Sequence, residues 1–531
     1  MASLVAMLRS PPGEGSAPDP GWGLDGVSAP AALELGEADL GSSLPFTWVL
    51  SNASTEAVDA VRFTSPSLSV FLLDALPIRI EAGGSATLSA VLVPVPGSPP
   101  GEVTGSAVVD LVGPGGEGSR SLSVHGVASP PDRALAMTEV PVRGMPVRLA
   151  SWDRYLFVGY FDGTIDVMEF DGPTTLNLVE RIEAIALTPN HGPDGAPQPE
   201  VGGRLIGGIA VDDTGTLYVT HADPRLDEGE FSRTGHLADL NSGAVTALDG
   251  PPGSYGAPGH RRDLVLGLPR NVTNHIPLGV AWRAGSLFVA VGAMTDSGSP
   301  DDSKPDPDTG LSGSILRVDL AAGEGMFPVS LTSPGGDPAA VEALPTGVIE
   351  IWATGVRNGF GLAFVGDDLF LTDQGSDGGW APSPAEGVPG FGPHFGPDHM
   401  HLVARGAYLG QPNPARGEMV LDDGSGYATA VVSPGYTAPV HAFGLHDSAT
   451  GIVAYRGDRF PDLQGTILAA KFSGTVGLQA LRLDGTRVVE VRQLVTRPEV
   501  NNVTDVVVGP DGQIVFAEMW DMRLRIATGW R

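Results

Sequence analysis

The 531-residue chain has no cysteine, which excludes disulfides, thiolate metal sites and a cysteine nucleophile. Oxidising and reducing compartments both tolerate such a chain, so its location stays open on this point. Positive charge is also scarce. Thirty-one Lys and Arg stand against 62 Asp and Glu, giving a net charge of -31, and the only lysines are Lys304 and Lys471. A surface this acidic repels phosphate backbones and anionic headgroups, so nucleic acid is not an expected partner. No run of about eighteen apolar residues occurs, so membrane insertion through a helix is not expected either. The opening MASLVAMLRSPPGEGSAPDPG has a short apolar stretch with Arg9 after it and lacks the pattern of a secretory signal. The expected location is extracellular or periplasmic if a signal has been removed, or a virion or other non-classical destination if not.

What is abundant is turn-forming residue: 74 Gly and 47 Pro, with 42% hydrophobic residues. That mixture suits short strands joined by many turns, with enough apolar content for a packed core. The length calls for more than one domain. The fold class expected is therefore all-β. Residues 1–30 are rich in Pro, Gly, Ser and Asp and are expected to form a flexible leader. Over 31–128, alternating segments such as PFTWVLSN, ATLSAVLVP and GSAVVDLVG lie between turn clusters at β-sandwich spacing. SPPDR at 129–133 suits a linker. From 134 to 531, six hairpin-like units follow, each an apolar strand, an Asp/Gly turn and an alternating strand: RYLFVGYFDGTIDVMEF, IGGIAVDDTGTLYVTHA, GVAWRAGSLFVAVGA, GLAFVGDDLFLTDQG, GTILAAKFSGTVGLQALRLDG and TDVVVGPDGQIVFAEMW. Units of that kind build propeller blades, so a six-bladed β-propeller is expected. Long loops at 221–262, 294–312 and 374–428 should gather on one face, where a rigid scaffold most often builds a site.

The turn glycines and alternation of residues 31–128 resemble the immunoglobulin-like domains of the ASPM/SPD-2/Hydin type. That resemblance implies that Asn52 ends a strand and that Gly83 and Gly84 form a tight turn. It also implies an interaction or spacer module, with a protein partner as its use. The later segments resemble the soluble quinone-dependent glucose/sorbosone dehydrogenases over most of 134–531. NHIPLGVAWRAGSLFVAVGA matches the segment in which that family carries its catalytic base at the position of His275, with Asn274 beside it. A neutral imidazole at a channel mouth can accept a hydroxyl proton near pH 7. A loop histidine bonded to a backbone carbonyl is the alternative.

GVRNGFGLAFVGDDLFLTDQGS matches the family's second motif. It implies that Arg357 and Asn358 hold pyrroloquinoline quinone (PQQ), and that Gln374, Gly375 and Ser376 offer oxygens to calcium. Ser376 replaces a family proline. An ion pair between blades is the alternative for Arg357. PDHMHLVARGAYLGQPNP matches a third motif through Asp398, Gly406, Tyr408, Gly410 and Pro412, which adds Tyr408 to the implied calcium site; His399 and Gln411 replace an acid and a tryptophan. Lys471 is the candidate for a lysine that contacts the quinone. Asn502 and Thr504 stand where the glucose dehydrogenases carry two arginines.

Two clusters lie outside these motifs. Asp296, Asp301, Asp302, Asp306 and Asp308 could serve calcium or form a solvated acidic loop. His394, Asp398, His399 and His401 have no recognised zinc spacing and suit a surface loop. The resemblance implies oxidation of a sugar hydroxyl by hydride transfer to PQQ with Ca2+. The alternative is a non-catalytic carbohydrate- or protein-binding protein, such as an adhesin or virion component, that keeps only the fold.

Overall fold

The computed structural model describes residues 26–39, 42–67, 69–94, 101–129, 133–225, 238–271, 274–296, 298, 304, 306–331, 344–375, 397–418, 435–445 and 447–531. Among them there is no α-helix, and the strands form eight sheets.

Two sheets make the front domain. Leu44–Asn52 pairs with Val27–Ser28 on one side and Ser85–Leu92 on the other, and Val70–Leu72 closes that sheet. The second sheet runs Ala32–Asp39, Gly116–Ser129, Gly101–Gly113, Val58–Thr64, Ile78–Ile80, with the first pair parallel. Period-two alternation turns one face of Leu44–Asn52 inward, so Phe46, Trp48 and Leu50 meet Val109, Leu111 and Leu122 of the other sheet in one core. Asn52 does end its strand, and its amide donates to the carbonyls of Glu56, Ile80 and Glu81. Gly84 N donates to Glu81 O across a turn in which Gly83 has φ 70°, a conformation that favours glycine. The expected leader ends earlier than residue 30. Val27–Ser28 is already paired, because Arg120 donates to Val27 O and Ala53 N to Gly26 O.

Six sheets form a ring. Their innermost strands are Pro146–Trp152, Leu205–Val211, Pro277–Arg283, Gly359–Val365, Ala449–Ala454 and Val503–Val508, and each packs beside the next, the last returning to the first. This is a six-bladed β-propeller. In the sixth blade the outer strand is Leu135–Pro141, which pairs antiparallel with the C-terminal Arg523–Trp530 and clasps the two ends of the propeller together. Inter-blade bonds from threonines knit the ring near the channel: Thr220 Oγ1 to Leu278 O at 2.7 Å, Thr450 Oγ1 to Val503 O at 3.0 Å and Thr504 Oγ1 to Pro146 O at 3.1 Å.

The front domain rests on the rim of the propeller. Phe71, Val91 and Val93 pack on Ala442 in the outer strand of blade 4, and Ser43 Oγ lies 3.4 Å from His441 Nε2. Of the long loops, those after Ser286–Val291 and Asp368–Asp373 emerge on one face. The chain after Val403 crosses over to join them, where Asn413 Nδ2 donates to Thr309 O at 2.8 Å.

Candidate functional site

One edge of the blades gathers most of the polar side chains singled out in the sequence. It is the edge at which each innermost strand begins and each second strand ends, and it holds His275, Arg357, Asn358, Gln374, Lys471 and Asn502.

His275 sits two residues before Pro277–Arg283 and is 1% exposed. Asn271 Oδ1 accepts from its backbone N–H at 3.0 Å, and Arg270 fixes that loop by donating to the carbonyls of Asn271, Asp223 and Arg225. The imidazole Nδ1 lies 2.8 Å from Ala293 O. A carbonyl only accepts, so Nδ1 carries the proton and Nε2 is left with a lone pair. That Nε2 is buried with no partner among the described residues. Burial, with Arg357 and Lys304 nearby, pushes the imidazole down to about 3, so it is neutral at pH 7. Space for the ring depends on Gly292, where a Cβ would stand 2.9 Å from His275 Cβ.

Arg357 and Asn358 lie in the crossing from blade 3 to blade 4. Both backbone N–H groups donate to Asp373, at 2.9 and 2.7 Å, and burial pushes that carboxyl up to about 6. The Arg357 guanidinium donates through Nε to Asp296 Oδ1 at 3.0 Å and again through Nη2, with a longer bond from Nη1 to Gln374 O at 3.4 Å. Lys304 Nζ donates to the other Asp296 oxygen at 3.0 Å. The blade-to-blade ion pair is thus what Arg357 forms. Asn358 Nδ2 donates to Gln374 Oε1 at 2.8 Å, while Asn358 Oδ1 is buried without a partner among the described residues.

Lys471 is fully buried and donates to Asp447 Oδ2 at 3.2 Å and to Thr475 Oγ1. Asp447 also accepts from Thr475 N at 3.0 Å, so cation and carboxylate close on each other. Asn502 donates to Phe472 O at 3.3 Å and leaves Oδ1 buried and unpartnered among the described residues; Thr504 is tied into the ring of inter-blade bonds. Asn274 is exposed beside His275.

Of the residues expected around calcium, Gln374 and Gly375 follow the strand Asp368–Asp373 and Tyr408 lies on blade 3. The Gln374 carbonyl faces Arg357, and Gly375 N donates to Asp398 Oδ1 at 2.9 Å. Tyr408 lies beside Thr354 on the outer strand of blade 3, its hydroxyl donating to Gly410 O at 2.9 Å. Ser376 falls outside the described residues, as do Asp301, Asp302 and His394. In the acidic loop, Asp296 is paired as above. Asp308 accepts from Met294 N at 2.7 Å, from Thr295 and from Ser312. Among the described residues no cluster of three or more His, Asp or Glu is arranged to hold a metal. Asp398, His399 and His401, expected in a surface loop, instead belong to the strand Pro397–Leu402, where both Asp398 and His401 are buried.

Sequence reasoning missed a second polar cluster on the same edge. Arg225 pairs with Asp223 through Nε at 2.8 Å, and Arg204 donates to His221 Nδ1 at 3.1 Å and Asn190 Oδ1 at 2.7 Å. The signal was an arginine just before or after an apolar strand, in GGRLIGG, ADPRL and LPRNV.

Residues 269–522 match the family model described as Glucose / Sorbosone dehydrogenase. The matched segment includes His275, the Arg357–Asn358 pair and Asn502, so this part of the ring is glucose/sorbosone dehydrogenase-like. A protein of Synechocystis sp. described as uncharacterized is 29% identical over 175 residues, which are 32% of this chain and 36% of that relative. Among solved structures, the soluble aldose sugar dehydrogenase of Escherichia coli in its apo form is 17% identical, with a TM-score of 0.47 over 74% of this chain and 99% of that one. The PQQ-bound aldose sugar dehydrogenase of Streptomyces coelicolor is 18% identical, with a TM-score of 0.45 over 75% and 99%.

Proposed function

We propose that the propeller is a sugar dehydrogenase of the glucose/sorbosone type, in which His275 removes the proton of a sugar hydroxyl. The observation that carries this reading is the trio of buried acceptors His275 Nε2, Asn358 Oδ1 and Asn502 Oδ1, none with a partner among the described residues. Buried acceptors without donors are destabilising, and a polyhydroxyl ligand supplies the donors. Only His275 among the three can also keep a proton, and its neutral state with a lone pair on Nε2 is the form a general base needs. Ala293 O, holding Nδ1–H, would stabilise the imidazolium formed when the hydroxyl proton arrives. Asn358 and Asn502 would orient neighbouring hydroxyls.

The fit of PQQ is poorer. A tricarboxylate needs cations with free hydrogen-bonding capacity. Arg357 is engaged by Asp296 and Lys471 by Asp447, and Asn502 and Thr504 replace two arginines. His275 Nε2, Asn358 Oδ1 and Asn502 Oδ1 on this face are acceptors, and the cations Arg357 and Lys471 are already paired, so these side chains do not fit a trianion. That misfit favours a second reading, in which the same face binds a carbohydrate without oxidising it and the front domain, as an immunoglobulin-like module, docks a protein.

Calorimetric titration of calcium-loaded protein with PQQ, followed by dye reduction with a panel of aldoses, separates the two. Saturable PQQ binding with turnover that disappears in His275→Ala supports the dehydrogenase. Aldose binding with neither PQQ binding nor turnover leaves the recognition protein.

A further inference from the structure

The channel has a second chamber. A cavity of about 460 Å³ opens between the innermost strands towards their far ends, where Arg283 and Arg456 stand beside the hairpin turns. His275, Arg357, Asn358 and Lys471 are not part of its wall. Its volume lies in the range of small-molecule sites, roughly 300–1,000 Å³.

The inner end of this chamber is built around Arg148, in the first blade. Its side chain reaches across to the fourth blade, with the guanidinium carbon 3.3 Å from the centroid of the Phe360 ring. Nε donates to Gly207 O, and Nη2 is buried with no partner among the described residues. Asp505 is close enough to attract it, but the Asp505 oxygens already accept from Leu149 N at 2.8 Å and Val506 N at 2.9 Å. Burial lowers the guanidinium to about 9, so it remains a cation at neutral pH. A buried cation whose donor lacks an acceptor is costly unless something supplies one. The remaining walls are mostly apolar strand, including Leu149, Ile209, Val280 and Leu362.

We propose that this chamber binds a small amphipathic monocarboxylate, its carboxylate against the Arg148 guanidinium and its apolar body against Phe360 and the apolar strand residues of the wall. A planar carboxylate matches the guanidinium fork. An apolar tail of about six carbons fits within the chamber and has Phe360, Leu149, Ile209, Val280 and Leu362 to pack against. The site is independent of the sugar-oxidation reading, since none of the residues assigned to that reading lines it.

Titration calorimetry on the full chain at pH 7 tests this with three probes of one shape: hexanoate, hexanol and hexylammonium. Hexanoate is expected to bind at one saturable site, about tenfold or more tighter than either of the others. Arg148→Gln should lose that preference, and His275→Ala should keep it. Absence of hexanoate binding in the millimolar range would overturn the site, as would equal binding of hexanol or unchanged hexanoate binding in a folded Arg148→Gln. Should Arg148→Gln not fold, the three-probe comparison on the native chain decides by itself.

Discussion

The two ends of the propeller channel handle buried cations in opposite ways. On the face that carries His275, Arg357 and Lys304 converge on Asp296, and Lys471 closes on Asp447. In the far chamber Arg148 has a carbonyl and an aromatic ring, and its Nη2 has no partner among the described residues. The difference follows from the fold. Loops that cross between blades can bring carboxylates to a cation on their face, whereas Arg148 below is held within strands, where Asp505 attracts it without forming an ion pair among those described. Closed pairs make the first region rigid and electrostatically satisfied, leaving neutral acceptors as its reactive groups. The second region keeps a charge that feels Asp505 but makes no described ion pair, with hydrogen-bonding capacity left over.

The largest effect should come from His275→Ala, which removes the base while leaving every ion pair intact. A loss of about 10²–10⁴-fold in kcat/KM for dye reduction is expected, with the melting transition nearly unchanged. An acid limb near 6.5, the ordinary value for histidine, should be missing from the wild-type rate profile. The imidazole is held down at about 3, so the base stays unprotonated well below that pH.

Breaking a closed pair is expected to be almost as severe, but in stability. Lys471→Met leaves Asp447 charged and fully buried with no cation, a change that typically destabilises by about 3–5 kcal/mol. Chemical denaturation of the variant would measure it, and adding Asp447→Leu should recover much of the loss because no lone charge then remains.

A third test uses pH at the boundary between the regions. Burial lifts the Asp505 carboxyl to about 6, against an unfolded value near 3.9. The folded chain therefore binds this proton more tightly than the unfolded chain, and the stability from Asp505 is fully present below about pH 4 and declines as pH rises to about 6. Two units correspond to roughly 3 kcal/mol. Asp505→Asn cannot titrate, so its denaturation midpoints should fall less steeply over that window than those of the native chain, with other carboxyls raised by burial, Asp373 and Asp398 among them, contributing to the slope that remains.

How far these regions were legible beforehand differs as well. The six hairpins stood out because alternation and Asp/Gly turns are local signals, yet the units at 154–170 and 465–485 are second and third strands of their blades, while the other four are first and second. Antiparallel neighbours look alike in sequence, so which one faces the channel is not written locally. Leu135–Pro141 as the outer strand of the last blade depends on a partner at the opposite end of the chain. His275 and the Arg357–Asn358 pair could be located by motif. The engagement of Arg357 by Asp296 could not, because it depends on how a long loop folds back across a blade. Arg148 gave no signal at all in PVRLASW, where one arginine in an apolar strand resembles an ordinary edge residue.

Arg148→Met should give the smallest change, and for that reason it sharpens the contrast most. Removing this side chain forfeits a contact with Phe360 worth about 2 kcal/mol at a desolvated site and one hydrogen bond to Gly207 O worth about 1 kcal/mol. It also removes a desolvated cation and its unpartnered Nη2, a relief of similar size and opposite sign. The two sides nearly cancel, so denaturation should place the variant within about 2 kcal/mol of the native chain, well short of the loss expected for Lys471→Met. A loss as large as that of Lys471→Met would mean that Arg148 is bound into the fold as firmly as the paired cations. Near-neutral stability would instead mark Arg148 as a charge held in the channel for a ligand.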